Sequence, residues 1–297
     1  MHVHGRTAQA LAGVGVAAAA LVAPASLAAA APTSGQSAKS PDSGQPQVAV
    51  TAPATTPDPK AGMQFAVKPT VVLVHGAWAD SSSWDGVIER LRRAGYPVVA
   101  AANPLQGLGQ DSAAVASLLR SITGPIVLVG HSYGGAVITN AAAGNPNVKA
   151  LVYVAAFAPE KGESALELSN KFPGSSLGDT LQTIDLGDGT KDLVIQQDKY
   201  WQQFAADVSR KDAALAAATQ RPVNDTALTE KAGEPAWHQI PSYFVVAGKD
   251  KNIPVAAQKW MAERAHARAV VEVRDASHSV AVSQPETVAD LIVRAAR

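Results

Sequence analysis

Residues 125–140 read PIVLVGHSYGGAVITN, and no other stretch restricts the fold as tightly. Ile126, Val127, Leu128 and Val129 form a β-branched apolar run, the pattern of a buried strand. The run meets Gly130-His131-Ser132-Tyr133-Gly134, a G-x-S-x-G sequence, and a small-residue segment over 135–143 follows at once as a helix. Strand, tight turn and helix in immediate succession hold a serine on a strained turn, its hydroxyl above the strand ends. Gly130 and Gly134 make room for such a turn because they lack Cβ atoms. The pattern is short and the chain has 23 glycines, so the flanking strand and helix are what give it meaning.

The rest of the chain supplies a setting for that turn. TVVLV at 70–74 reads as a buried strand and ends in His75-Gly76-Ala77-Trp78. A helix follows, with Ser82 or Ser83 as N-cap, burying Trp84, Val87, Ile88 and Leu91 at i, i+3, i+4, i+7 spacing, and Gly95 closes it. A second strand covers 97–102. Asp111 caps a helix whose stripe is Val115, Leu118, Leu119 and Ile122. A fourth strand covers 149–154. The alternation then stops over 158–237, a polar and amphipathic stretch without a convincing buried strand that holds Phe172, Tyr200, Trp201, Phe204 and Trp237. It resumes with a strand at 242–247, a helix at 255–265 and a strand at 269–274. The last helix opens with Ser283 and Glu286 at capping-box spacing and turns Val288, Leu291 and Ile292 inward. Near-continuous apolar strands alternating with amphipathic helices predict an α/β fold, a mostly parallel sheet of six strands with helices on both faces. The stretch 158–237 is read as an inserted helical lid over the C-terminal edge of the sheet, where ligands bind in such folds.

Composition narrows the classes of function. Net charge is zero and the pI is near 7.1, which gives no reason to expect nucleic acid or an anionic surface as partner. The absence of cysteine excludes a disulfide framework, a thiol nucleophile and a Cys-ligated metal. No metal cluster, phosphate loop or dinucleotide fingerprint occurs, so no cofactor is expected. Residues 1–30 read as a signal peptide. Arg6 precedes an uncharged apolar run over 11–23, Pro24 breaks it, and small residues over 26–31 offer cleavage after Ala29 or Ala30. The run is too short to span a bilayer comfortably, so the expectation is a secreted, extracellular protein with no membrane attachment after cleavage. Residues 31–63 are rich in Pro, Ser and Thr and read as a disordered linker. The folded domain is then 64–297.

His75-Gly76 after a strand, the GHSYGG turn, Gly248-Lys249-Asp250 after the next-to-last strand and Ser277-His278 after the last strand together resemble the α/β-hydrolase superfamily. The order Ser, Asp, His is the order found there. The short sheet is similar to the compact esterase branch that includes plant methylesterases, hydroxynitrile lyases and related bacterial esterase-like proteins. The resemblance implies a serine hydrolase acting on a small-molecule carboxylic ester through an acyl-enzyme, with Ser132 as nucleophile. Of the histidines outside 1–30, His75 is read as shaping the turn after the first strand and His131 as pointing away from the serine it adjoins; His278, after the last strand at the edge where Ser132 projects, is the expected general base and then acid. Asp250 is the expected orienting carboxylate, with Glu160, after the fourth strand, as its rival. The backbone N–H groups of Tyr133 and Ala77 are the expected oxyanion donors. Trp78, Trp201 and Phe204 are candidate pocket residues. Three other readings compete. Hydroxynitrile-lyase-like chemistry could use the same triad, although Ala77 and Ser279 stand where such lyases typically carry threonine and lysine. Cofactor-free perhydrolysis and a non-catalytic binding role on this scaffold are the other two. Oligomeric state and acyl preference stay open.

Overall fold

The computed structural model describes residues 67–297, which fall within a unit spanning Met63–Arg297. The signal peptide and linker expected at 1–30 and 31–63 lie outside the described residues. Six strands form one sheet in the order β2-β1-β3-β4-β8-β9, with every neighbour parallel. They are β1 (Thr70–Val74), β2 (Val98–Ala101), β3 (Ile126–His131), β4 (Val148–Val154), β8 (Ser242–Ala247) and β9 (Ala269–Val273). The uninterrupted apolar runs follow from burial on both faces. Val72, Val74, Leu128, Leu151 and Tyr153 point into one core, while Val71, Leu73, Val127, Val129 and Val152 point into the other. Chain order reverses between β1 and β3. The crevice outside their C-terminal ends is where a ligand site is expected, and it lies between Gly76 and Ser132.

The helices that cover the sheet start and stop for local reasons. Helix α1 (Asp85–Arg93) follows a 3₁₀ turn over Ser81–Trp84 whose cap is Asp80, not Ser82 or Ser83. The Asp80 carboxylate accepts the Ser82 N–H at 2.8 Å and the Ser82 hydroxyl at 2.6 Å. Helix α2 (Leu108–Ser121) is capped by Gly107, and Asp111 sits inside its first turn, buried, where it accepts the Gln106 N–H. Helix α3 (Tyr133–Ala141) rises directly from β3. Helix α10 (Pro285–Ala295) begins at Pro285, which has no N–H to satisfy and a fixed φ suited to the first helical position. Ser283 therefore ends the short α9 (Val280–Ser283) and is no cap.

The insertion between β4 and β8 is not wholly helical. It contains α4 (Ala165–Asn170), α5 (Gln197–Phe204), α6 (Arg210–Thr219) and α7 (Asp225–Thr229). It also folds a three-stranded antiparallel sheet of β5 (Leu181–Asp185), β6 (Lys191–Ile195) and β7 (Val223–Asn224). Its base is tied to the domain by Arg264 at the end of α8 (Val255–Arg264), which donates to both oxygens of Glu163 at 2.9 and 2.8 Å and to Ala158 O. Such a bidentate pair, mostly out of water, is both directional and stronger than a single exposed ion pair.

Candidate active site

Ser132 directly follows β3 at φ 53° and ψ −123°, a conformation that costs about 1–3 kcal/mol in a residue with a side chain. The surroundings over-determine it. Its N–H donates to Val154 O, and its carbonyl accepts from Gly135 N and Phe157 N at 2.9 and 3.1 Å. Backbone packs against backbone here. A Cβ on Gly130 would lie 2.5 Å from Gly134 O, one on Gly134 2.5 Å from Val74 O, and one on Gly135 2.3 Å from Phe157 O. Gly76 faces the serine directly, since a Cβ there would stand 2.7 Å from Ser132 Cβ.

Asp250 follows β8 and His278 follows β9, and both side chains are fully buried. His278 Nδ1 and Asp250 Oδ2 are 2.7 Å apart. The carboxylate is saturated: Oδ1 accepts the N–H groups of Asn252 (2.7 Å) and Ile253 (3.0 Å), and Oδ2 also accepts Gln258 Nε2 at 2.9 Å. A carboxylate so engaged only accepts, so Nδ1 carries the hydrogen and Nε2 presents its lone pair. His278 Nε2 is buried and has no hydrogen-bond partner among the described residues. Glu160, the rival carboxylate, lies against His238 Nε2 at 3.1 Å.

Several contributors escape a sequence reading. Gln258 is one: besides Asp250, its amide bridges Ile253 O and the Ala247 N–H. A polar residue beside Ala257, Met261 and Ala262 on the buried face of α8 is the signal that could have exposed it. His131 is another. Its Nε2 lies 2.9 Å from His278 O, so that nitrogen donates and the ring braces the loop carrying His278. Burial first, and the neighbouring His278 second, push the His131 imidazole down to about 3, which keeps it neutral. The same loop is clamped from the insertion, where the N–H and hydroxyl of Ser279 donate to Phe204 O at the end of α5 and the Ser277 hydroxyl donates to the Asp207 carboxylate. His75 braces the loop after β2 instead: its Nε2 accepts the Asn103 N–H at 3.0 Å. Desolvation drives its pKa below the ordinary histidine value.

Tyr133 opens α3, so its N–H belongs to the first turn and has no intrahelical acceptor. Among the described residues neither that N–H nor the Ala77 N–H is paired with an acceptor. The Tyr133 side chain points elsewhere: its hydroxyl donates to Asp111 at 2.7 Å, and burial followed by that carboxylate raises its pKa. Ser132, Ala77, Tyr133 and Trp78 share one cavity of about 260 Å³ whose walls include Phe157, Leu193 and Leu228. Among the described residues no Lys or Arg lines it, and Asp225 is its one charged residue. Phe204 lines a neighbouring cavity and packs 4.8 Å from the His278 ring. Trp201, expected in the pocket, lines neither cavity. On α5 the buried pair is Tyr200 and Phe204 at i, i+4, which turns Trp201 aside. Its indole donates to Val208 O and its ring stacks under Arg210 at 3.8 Å.

Residues 71–291 match the family model described as "Alpha/beta hydrolase family". The chain belongs to that family. It is 36% identical over 115 residues to the carbendazim hydrolyzing esterase of Nocardioides sp. (strain SG-4G), a match covering 34% of this chain and 47% of that enzyme's length, so it spans about half of that relative. It is 26% identical over 248 residues to methylesterase 9 of Arabidopsis thaliana, covering 76% of this chain and 97% of that one. The crystal structure of polyneuridine aldehyde esterase superposes with a TM-score of 0.67 at 23% identity, covering 76% of this chain and 98% of that one, a likeness of fold. The protein is thus an esterase-like hydrolase of the alpha/beta type, with the sheet and branch expected from its sequence.

Proposed function

We propose that this chain is an exported serine esterase that cleaves small, uncharged carboxylic esters through an acyl-enzyme. The observation that carries the reading is the buried Asp250–His278 pair at 2.7 Å, which leaves Nε2 of His278 unpartnered in the same fold edge as the strained Ser132. A serine hydroxyl is a weak nucleophile until a base takes its proton. His278 Nε2 takes that proton as Ser132 Oγ bonds to the ester carbon. The resulting oxyanion is received by the N–H groups of Ala77 and Tyr133, the second aided by the positive end of α3. The imidazolium, stabilised by Asp250, protonates the leaving alkoxide. Water then repeats the sequence, giving up a proton to His278 as it attacks the acyl carbon. Collapse returns the proton to Ser132 and releases the acid.

Uncharged esters are the favoured class because, among the described residues, the cavity has no Lys or Arg to receive a substrate carboxylate. Relatives named for methyl-ester and carbendazim hydrolysis support small-molecule esters as the general class. Lyase chemistry has less support: Ser279, directly after His278, uses its hydroxyl on Phe204 O, and no lysine lines the cavity to hold a leaving anion. Export rests on the sequence over 1–30. Short p-nitrophenyl esters test the chemistry. Ser132→Ala is expected to lower kcat on the order of a million-fold, and turnover equal to the unaltered enzyme would remove Ser132 from the mechanism. A mature N-terminus near residue 30 in culture supernatant tests export; intact chain retained in the membrane fraction would refute it.

A further inference from the structure

We infer that Trp78 is a fixed partition that sets the size limit of the substrate, closing the Ser132 cavity off from a second, larger one. The inference rests on the ester-hydrolase reading. The Ser132 cavity measures about 260 Å³ and its neighbour about 440 Å³, and among the described residues Trp78 is the one that lines both. The smaller volume is under the range of about 300–1,000 Å³ usual for ligand pockets, while the two joined would fall inside it.

Trp78 is held from several directions. Its indole Nε1 donates to Leu193 O at 2.9 Å, a carbonyl of β6. Its own carbonyl accepts the Tyr200 hydroxyl at 3.2 Å. Phe204 meets its ring edge-on at 6.3 Å between centroids. The residue is 3% exposed and sits at φ 56°, a backbone state that a side-chain-bearing residue keeps only where its neighbours enforce it. A side chain so restrained is a wall and does not swing as a gate. It also directly follows Ala77, so the wall stands beside the proposed oxyanion donors.

The space behind the wall suits an apolar arm. Tyr200, Phe204, Val208 and Ala216 line it, and its mouth carries Leu215 and Val282, which are 59% and 44% exposed. Among the described residues it has carboxylates (Asp80, Asp85, Asp212) and no Lys or Arg. It would therefore take an alkyl or aryl extension that is neutral or cationic, and would repel an anionic one.

The test uses p-nitrophenyl esters of graded acyl length and acetates of alcohols of graded length. The unaltered enzyme should lose kcat/KM steeply once either arm outgrows the Ser132 cavity. Trp78→Gly removes the wall and relieves the positive φ. It should raise the octyl-to-short ratio of kcat/KM in one of the two series by about tenfold or more, the scale at which pocket size discriminates methylenes. Trp78→Phe keeps a ring in place and should keep the short-chain preference. Trp78→Leu gives an intermediate profile and serves if the glycine variant does not fold. A wild-type profile that is flat to dodecanoate, or a folded Trp78→Gly with the wild-type profile in both series, overturns the inference. Wild-type protein that hydrolyses no ester in either series counts against the esterase reading itself, whereas hydrolysis with an unchanged Trp78→Gly profile counts against the partition alone.

Discussion

The sheet edge at Ser132 and the insertion above it are held by different physics. At the edge, backbone lies on backbone: Gly134 against Val74 O, Gly135 against Phe157 O, Gly76 against the serine. No side chain fits at these positions, so the residue type is dictated. In the insertion, side chains do the holding: the Trp78 indole on Leu193, the Gln203 amide on Asn252 Oδ1 at 2.8 Å, Arg264 on Glu163. Each of those joints could be built from other residue pairs. Geometry enforced by close backbone approach leaves a mark in the sequence, and geometry enforced by interchangeable side chains does not.

That contrast can be broken or sharpened by substitution. The largest effect belongs to the edge. Asp250→Asn places an amide where four donors converge and upsets the His278 tautomer; kcat should fall by about 10⁴-fold with the fold intact by circular dichroism. Retained activity would mean that the carboxylate is dispensable. Gly134→Ala should cost about 3 kcal/mol or more in urea unfolding, because the added carbon meets backbone that cannot step aside; an unchanged midpoint would show that the edge yields. His131→Leu removes the donor to His278 O. We expect kcat to drop by up to about 100-fold while KM holds, as for a reacting group displaced by a fraction of an ångström, with partial recovery in His131→Gln.

His131 also gives the edge a pH dependence. Its folded pKa is depressed to about 3 from 6.5, so between those values the unfolded chain binds a proton that the native state refuses. Stability is therefore full above about pH 6.5 and is lost as pH falls toward 3, at no more than about 1.4 kcal/mol per pH unit from this residue. His75, lowered by burial, acts in the same direction. Urea midpoints at pH 7.5, 6 and 4.5 should decline in that order, and His131→Gln should flatten the decline; a parallel decline would assign it to other groups. The smallest effect belongs to the insertion's outer face. Trp201→Ala should cost about 1 kcal/mol, from the lost Arg210 stacking, and leave kcat/KM within about twofold. A larger loss of activity would move Trp201 back into the pocket.

The same contrast explains what was legible in the sequence. The inner strands announce themselves because they are covered on both faces, as with Val71 through Val74, all completely buried, and the edge strands β2 and β9, only partly covered, still carry apolar runs. Strand β5, LQTID, is mostly exposed and has no apolar run to betray it. Its hairpin partner could have been found from Asp188-Gly189 in the connecting turn, a strong hairpin signal. Aromatic content alone points Trp201 into the pocket, whereas helical phase, through the i, i+4 pair of Tyr200 and Phe204, gives the buried face directly and turns Trp201 aside. His131 could be seen to point away from the serine, but its partner carbonyl on His278 lies 147 residues further along the chain. No local pattern encodes such a contact.

The most direct test of Ser132 as the nucleophile is covalent. Folded protein treated with a fluorophosphonate should take up one phosphonyl group per chain, on the peptide that contains Ser132. The modification should vanish in Ser132→Ala and slow markedly in Asp250→Asn. Folded, unmodified protein after prolonged exposure, or an adduct on any other residue, would contradict the account.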